Sequence, residues 1–80
     1  MKACTGQVVI NNGRFDRVYQ FRVFANSLHI GGSHAIRAAM REFKRMEKGK
    51  RPRVRVSVLG LEASKPVTMP DEYVDKAWLV

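Results

Sequence analysis

The sequence predicts an α+β fold: an antiparallel β-hairpin, one helix across one face of the sheet, a third strand, and an extra C-terminal strand or short helix. Three observations carry this. An Asn-Gly pair sits between two alternating runs. Apolar residues recur at helical spacing between residues 33 and 48. Three valines then alternate with polar residues.

Asn11-Asn12-Gly13 is a strong hairpin signal, because both residues of a tight two-residue turn need positive φ. With Asn12 and Gly13 at the turn, Ile10 is expected opposite Phe15, Val8 opposite Arg17, Gly6 opposite Tyr19 and Cys4 opposite Phe21. That register collects the apolar side chains on one face, with room for the Tyr19 ring over Gly6. Thr5, Gln7, Asp16, Val18, Gln20 and Arg22 go to the other face. Arg17 is the exception on the apolar side and is expected beyond the core's edge.

Ala25 to Ser33 reads as a loop, with Ser33 as the N-cap of a helix running to about Lys48 and Gly49 as its stop. At about 100° per residue, Ile36, Ala39, Met40, Phe43 and Met46 form one stripe. Arg37, Arg41, Lys44 and Lys48 form a second stripe roughly opposite, with Arg45 beside it, so burying the first stripe turns the second outward.

After the basic loop Lys50-Arg51-Pro52, Val54, Val56 and Val58 alternate with Arg53, Arg55 and Ser57. The valines are expected to face the helix, which places Arg53 and Arg55 on the open face with Arg22 and Gln20. Gly60 marks a bulge or the strand end. In the tail, Pro70-Asp71-Glu72 resembles a helix start, yet Tyr73 to Val80 also suits a final strand. Residues 1–61 thus read as a β-β-α-β core and residues 62–80 as an acidic, aromatic extension packed on the same domain.

Eighty residues leave room for one domain, and a hydrophobic share of 45% is too high for a disordered basic tail. No apolar run approaches the roughly 20 residues of a membrane helix. Nor do the first residues carry the apolar stretch of a secretion signal, so a cytoplasmic location is expected. The lone cysteine, Cys4, cannot form an internal disulfide or a multi-cysteine zinc site and reads as a small core residue. No cofactor or metal is expected.

The net charge of +8 is unevenly placed. Residues 1–61 hold thirteen basic and three acidic side chains, while residues 62–80 hold two basic and four acidic. Nine of the cations fall between Arg37 and Arg55. Cations in a cluster release the counterions condensed on nucleic acid, and arginine forks grip phosphate in two places. The expected function is therefore non-enzymatic binding of the DNA or RNA backbone with little base readout, duplex slightly preferred. The contacts are expected from Arg37, Arg41, Lys44, Arg45, Lys48, Lys50, Arg51, Arg53, Arg55 and Arg22. Phe24 is the best aromatic on the open face, and the pair of stacking rings typical of single-strand readers is missing there.

A weaker phosphate site is expected at Gly31, Gly32, Ser33 and His34, where a helix start would present free amides to an anion. Gly32-Ser33-His34 is similar to the Gly-Ser-His of small RNA-cleaving toxins of the HicA type. There the triplet lies on a strand, whereas here it is expected to open a helix. His29 and His34 are the residues a ribonuclease reading would need. The alternative partner is an acidic protein surface, as for the small inhibitors and regulators of nucleic-acid-processing complexes in phages and mobile elements, anti-CRISPR proteins among them, which the chain resembles in size. Tyr73 and Trp78 offer a homodimer contact.

Overall fold

The computed structural model describes residues 1–47 and 53–80. Its elements are β1 (Lys2–Asn11), β2 (Asp16–Ala25), α1 (Leu28–Met46), β3 (Arg55–Pro66), a single 3₁₀ turn at Asp71–Tyr73, and β4 (Ala77–Leu79). The strands form one antiparallel sheet in the order β3-β1-β2-β4, and α1 packs across one face. This is the expected α+β class. Of the two alternatives for the tail, the strand is present but spans only Ala77–Leu79, and at the expected helix start the chain makes a single 3₁₀ turn. No helix of the described residues is long and apolar enough to cross a membrane.

The hairpin separates its faces as expected, but its register is shifted by two residues. Ile10 pairs with Arg17, Val8 with Tyr19, Gly6 with Phe21 and Cys4 with Val23. The turn holds four residues because asparagine side chains supply its hydrogen bonds. Asn12 Oδ1 accepts from the amides of Arg14 (2.9 Å) and Phe15 (3.1 Å), and Asn11 Oδ1 accepts from Gly13 (2.8 Å). A shift of two preserves side-chain parity, so the apolar set stays on one face. Phe15 leaves the sheet for the turn, where the Arg17 guanidinium sits 5.2 Å from its ring centre. The ring beneath Gly6 is that of Phe21, not Tyr19: a β-carbon on Gly6 would lie 3.1 Å from it.

The helix begins six residues earlier than expected. Ser27, not Ser33, is the N-cap, its Oγ accepting from the amide of Ile30 at 3.2 Å. Gly31 and Gly32 are therefore helical and buried. Their poor helix propensity is offset by close packing, since Gly31 lets the helix backbone settle against Cys4 on β1. The buried stripe is Gly31, Ala35, Ala39 and Phe43, with Ile36 and Met40 at its flanks. Met46, expected in the stripe, is exposed in the last turn. The helix ends at Met46 with Glu47 as C-cap; the expected end at Lys48 and Gly49 lies outside the described residues.

Cys4, Val8 and Ile10 from β1 and Phe21, Val23 and Ala25 from β2 complete the core under this stripe. Val54, Val58 and Leu61 pack against it from the β3 side. Val56 faces the same way, opposite Ile10, but is only partly covered. Gly60 marks a bulge. Its φ is +62°, and the β1–β3 register slips by one residue between Thr5 and Gln7. The strand runs on from there to Pro66 instead of stopping. Ala77 and Leu79 of β4 dock on the helix side of the sheet, opposite Val23 and Phe21.

Candidate nucleic-acid interface

Burial of Ala35, Ala39 and Phe43 fixes the rotation of α1 and turns Arg37, Arg41 and Lys44 to solvent. These three residues, expected together, are together. Arg45 lies beside them, but its guanidinium is engaged by Glu42 one turn earlier: Nε donates to Oε2 at 3.2 Å and Nη2 to Oε1. Hydrogen bonding by Arg45 holds the Glu42 carboxyl below its usual range, and the same contact raises Arg45. Lys48, Lys50 and Arg51 lie outside the described residues. Arg53 is exposed ahead of β3.

One flank of this face is a groove between α1 and the C-terminal segment. His34, Arg37 and Arg41 line its helix wall; Asp75, Lys76 and the β4 residues Ala77 and Trp78 line the other. The groove exists because the chain reverses at Asp75, which takes a left-handed conformation (φ +60°) while its amide donates to the Phe24 carbonyl at 2.8 Å. Asp75 Oδ1 lies 3.8 Å from His34 Nε2. Arg37, Arg41 and Lys76 thus surround the groove with positive charge, against the single carboxylate of Asp75.

The open face of the sheet departs from expectation. Arg22 and Arg55 both lie on it but do not form one surface. Their register partners on β1, Thr5 and Asn11, are six residues apart, or roughly 20 Å along the strand. Arg22 instead lies in an aromatic basin with Phe24, Met69, Tyr73 and Trp78. The rings of Tyr73 and Trp78 are 6.1 Å apart, tilted by 39°. The tail thus adds an aromatic pair to the open face. The signal in the sequence was the strand-like alternation of Tyr73 to Val80. Read as a strand beside β2, it sends Ala77 and Leu79 inward and Trp78 to the side of Arg22.

The phosphate site expected at Gly31, Gly32, Ser33 and His34 does not lie at a helix start. These residues sit within α1, where the amide of Gly31 already donates to the Ser27 carbonyl at 3.0 Å. His29 and His34 share the helix but point roughly 140° apart. Among the described residues, no three His, Cys, Asp or Glu side chains come together as a metal site. Cys4 is fully buried, and burial pushes its thiol up despite the charge of Lys2. Compared with protein families, with curated proteins and with solved structures, the chain matches none.

Proposed function

We propose that the protein is a non-enzymatic nucleic-acid-binding module that grips the phosphate backbone through the outer face of α1. The observation that carries this is the exposed row Arg37, Arg41 and Lys44, flanked by the groove that adds Lys76. Neighbouring phosphates of nucleic acid present charge along a line, and a helical row spaced three and four residues apart follows such a line. Glu42 is occupied by Arg45 and so does not neutralise the row. Contacts of this kind read charge and spacing rather than bases.

The test is an electrophoretic shift with duplex and single-stranded DNA and RNA at two salt concentrations. Binding is expected to weaken steeply with salt, by about 0.7–0.9 in the logarithmic slope for each phosphate engaged. Reversal of Arg37, Arg41 and Lys44 to glutamate is expected to abolish the shift while leaving the circular dichroism spectrum unchanged. Absence of any shift at low salt overturns the proposal. It would favour the second reading, an inhibitor-like module that docks on a protein, for which the exposed Val18 and Leu59 on the open face speak.

A further inference from the structure

We infer that the strand form this protein holds is single-stranded, with an unpaired base stacked on Trp78 where the chain crosses the β4 edge. The inference rests on the nucleic-acid reading above and deepens it.

β4 is three residues long and lies at the rim of the sheet. On its helix side is the cationic groove of Arg37, Arg41 and Lys76; on its other side is the basin of Arg22, Phe24, Tyr73 and Trp78. Trp78 borders both. The two surfaces are therefore neighbours across one thin edge, although they lie on opposite sides of the sheet.

Docking of β4 on the core does not require Trp78, whose ring pairs with Tyr73 at 6.1 Å. Ala77 and Leu79 face the core and dock β4 by themselves, while Trp78 points the other way and remains 49% exposed. An exposed indole beside a second ring and an arginine offers what an unpaired base needs: a π-face to stack on and a fork for the adjoining phosphate. Glu62 also lines the open face near Arg22, so the attraction in the basin is carried mainly by stacking and that on the groove side by charge.

The stiffness of the partner decides its form. Duplex DNA bends smoothly only over about 150 base pairs and keeps its bases within the stack. The domain measures 41 × 23 × 18 Å, so a duplex on the helix face cannot turn around the rim of the sheet. A single strand turns within a few nucleotides and exposes its bases. It alone can place phosphates in the groove and a base on Trp78 together.

Trp78 is the sole tryptophan, so the unmodified protein reports on the contact. The experiment is a fluorescence titration at low salt with single-stranded thymidine and uridine oligomers of about 12 nucleotides, and with a duplex of equal length. The expected results are quenching of Trp78 by the single strands, little change with duplex, and tighter single-strand than duplex binding. Trp78→Ala is expected to lose about tenfold or more in single-strand affinity, with Trp78→Phe retaining most of it and the salt slope unchanged, because no phosphate contact is removed. The DNA and RNA arms identify which sugar is preferred. Single-strand binding that leaves the fluorescence unchanged and survives Trp78→Ala, yet is lost on reversing Arg37, Arg41 and Lys44, overturns this inference and preserves the backbone reading. Binding of no nucleic acid at all overturns both.

Discussion

Gly31 of the helix rests against Cys4 of β1 so closely that a β-carbon on the glycine would lie 2.8 Å from Cys4 Cβ and 2.9 Å from its Sγ. Gly32, the next residue, has only Leu61 Cδ2 at 3.9 Å in the same sense. The two glycines are therefore opposite cases. Gly31→Ala gains helix propensity of up to about 1 kcal/mol but must push the helix off the central strand, and overpacking of this kind costs about 1–3 kcal/mol. It is expected to lower the thermal midpoint. Gly32→Ala keeps the propensity gain and meets ordinary contact, so it is expected to stabilise by about 0.5–1 kcal/mol. Thermal unfolding of the two variants checks the pair, and a stabilised Gly31→Ala would mean the helix does not sit this close to Cys4.

The two serines of this region separate in the same way. Ser27 Oγ caps the helix by accepting from Ile30, whereas Ser33 is exposed within the helix. Ser27→Ala is expected to cost about 1 kcal/mol and Ser33→Ala close to nothing. Denaturant unfolding distinguishes them, and the reverse order would return the helix start to Ser33.

Cys4 gives the stability a pH dependence on the alkaline side. Burial raises the thiol from its ordinary value of 9.0, so the native state keeps the proton after the unfolded chain has lost it. The unfolded state then binds fewer protons, and stability falls as pH rises above about 9. Tyr19, also raised by burial, acts in the same direction at higher pH. Cys4→Ala is expected to flatten the first part of that decline. In the native protein, a thiol-specific reagent at pH 8 is expected to label Cys4 far more slowly than in denaturant.

Glu42 restrains one of the cations proposed to bind nucleic acid. Glu42→Gln removes the carboxylate that holds Arg45 and leaves that guanidinium able to turn to a phosphate. The variant is expected to bind nucleic acid more tightly at low salt and to steepen the logarithmic salt slope by about 0.7–0.9, as for one further phosphate. An unchanged slope would place Arg45 outside the interface. Because Arg45 is exposed and Glu42 partly so, thermal stability is expected to change little.

Much of the fold was legible because the side-chain periods are strict. Alternation placed Cys4, Val8, Ile10 and Phe21 on the core face even with the turn misplaced, since a two-residue slip leaves parity intact. Helical spacing likewise identified Arg37, Arg41 and Lys44 as one outward row. What stayed hidden depended on contacts distant in sequence. Ser27 and Ser33 are both cap-forming residues, and the helix starts at Ser27, where Gly31 fits closely against Cys4 of the hairpin. The aromatic basin required knowing that residues 77–79 add to β2, and a three-residue strand leaves almost no pattern of its own. The turn differs from the sequence expectation because Asn-Gly signals a two-residue hairpin, while the side chains of Asn11 and Asn12 supply the bonds of a longer one.

The bulges in β3 bear on how these molecules behave beside one another. β3 is the longer of the two open margins of the sheet, with Leu59 and Val56 uncovered on it. The register slips twice along its length, at Gly60 and again before Pro66, which has no amide hydrogen to give. A second chain laid alongside would lose alignment after a few residues, and the opposite margin is too short to hold one. These features disfavour the edge-to-edge addition of a further strand from a neighbouring molecule.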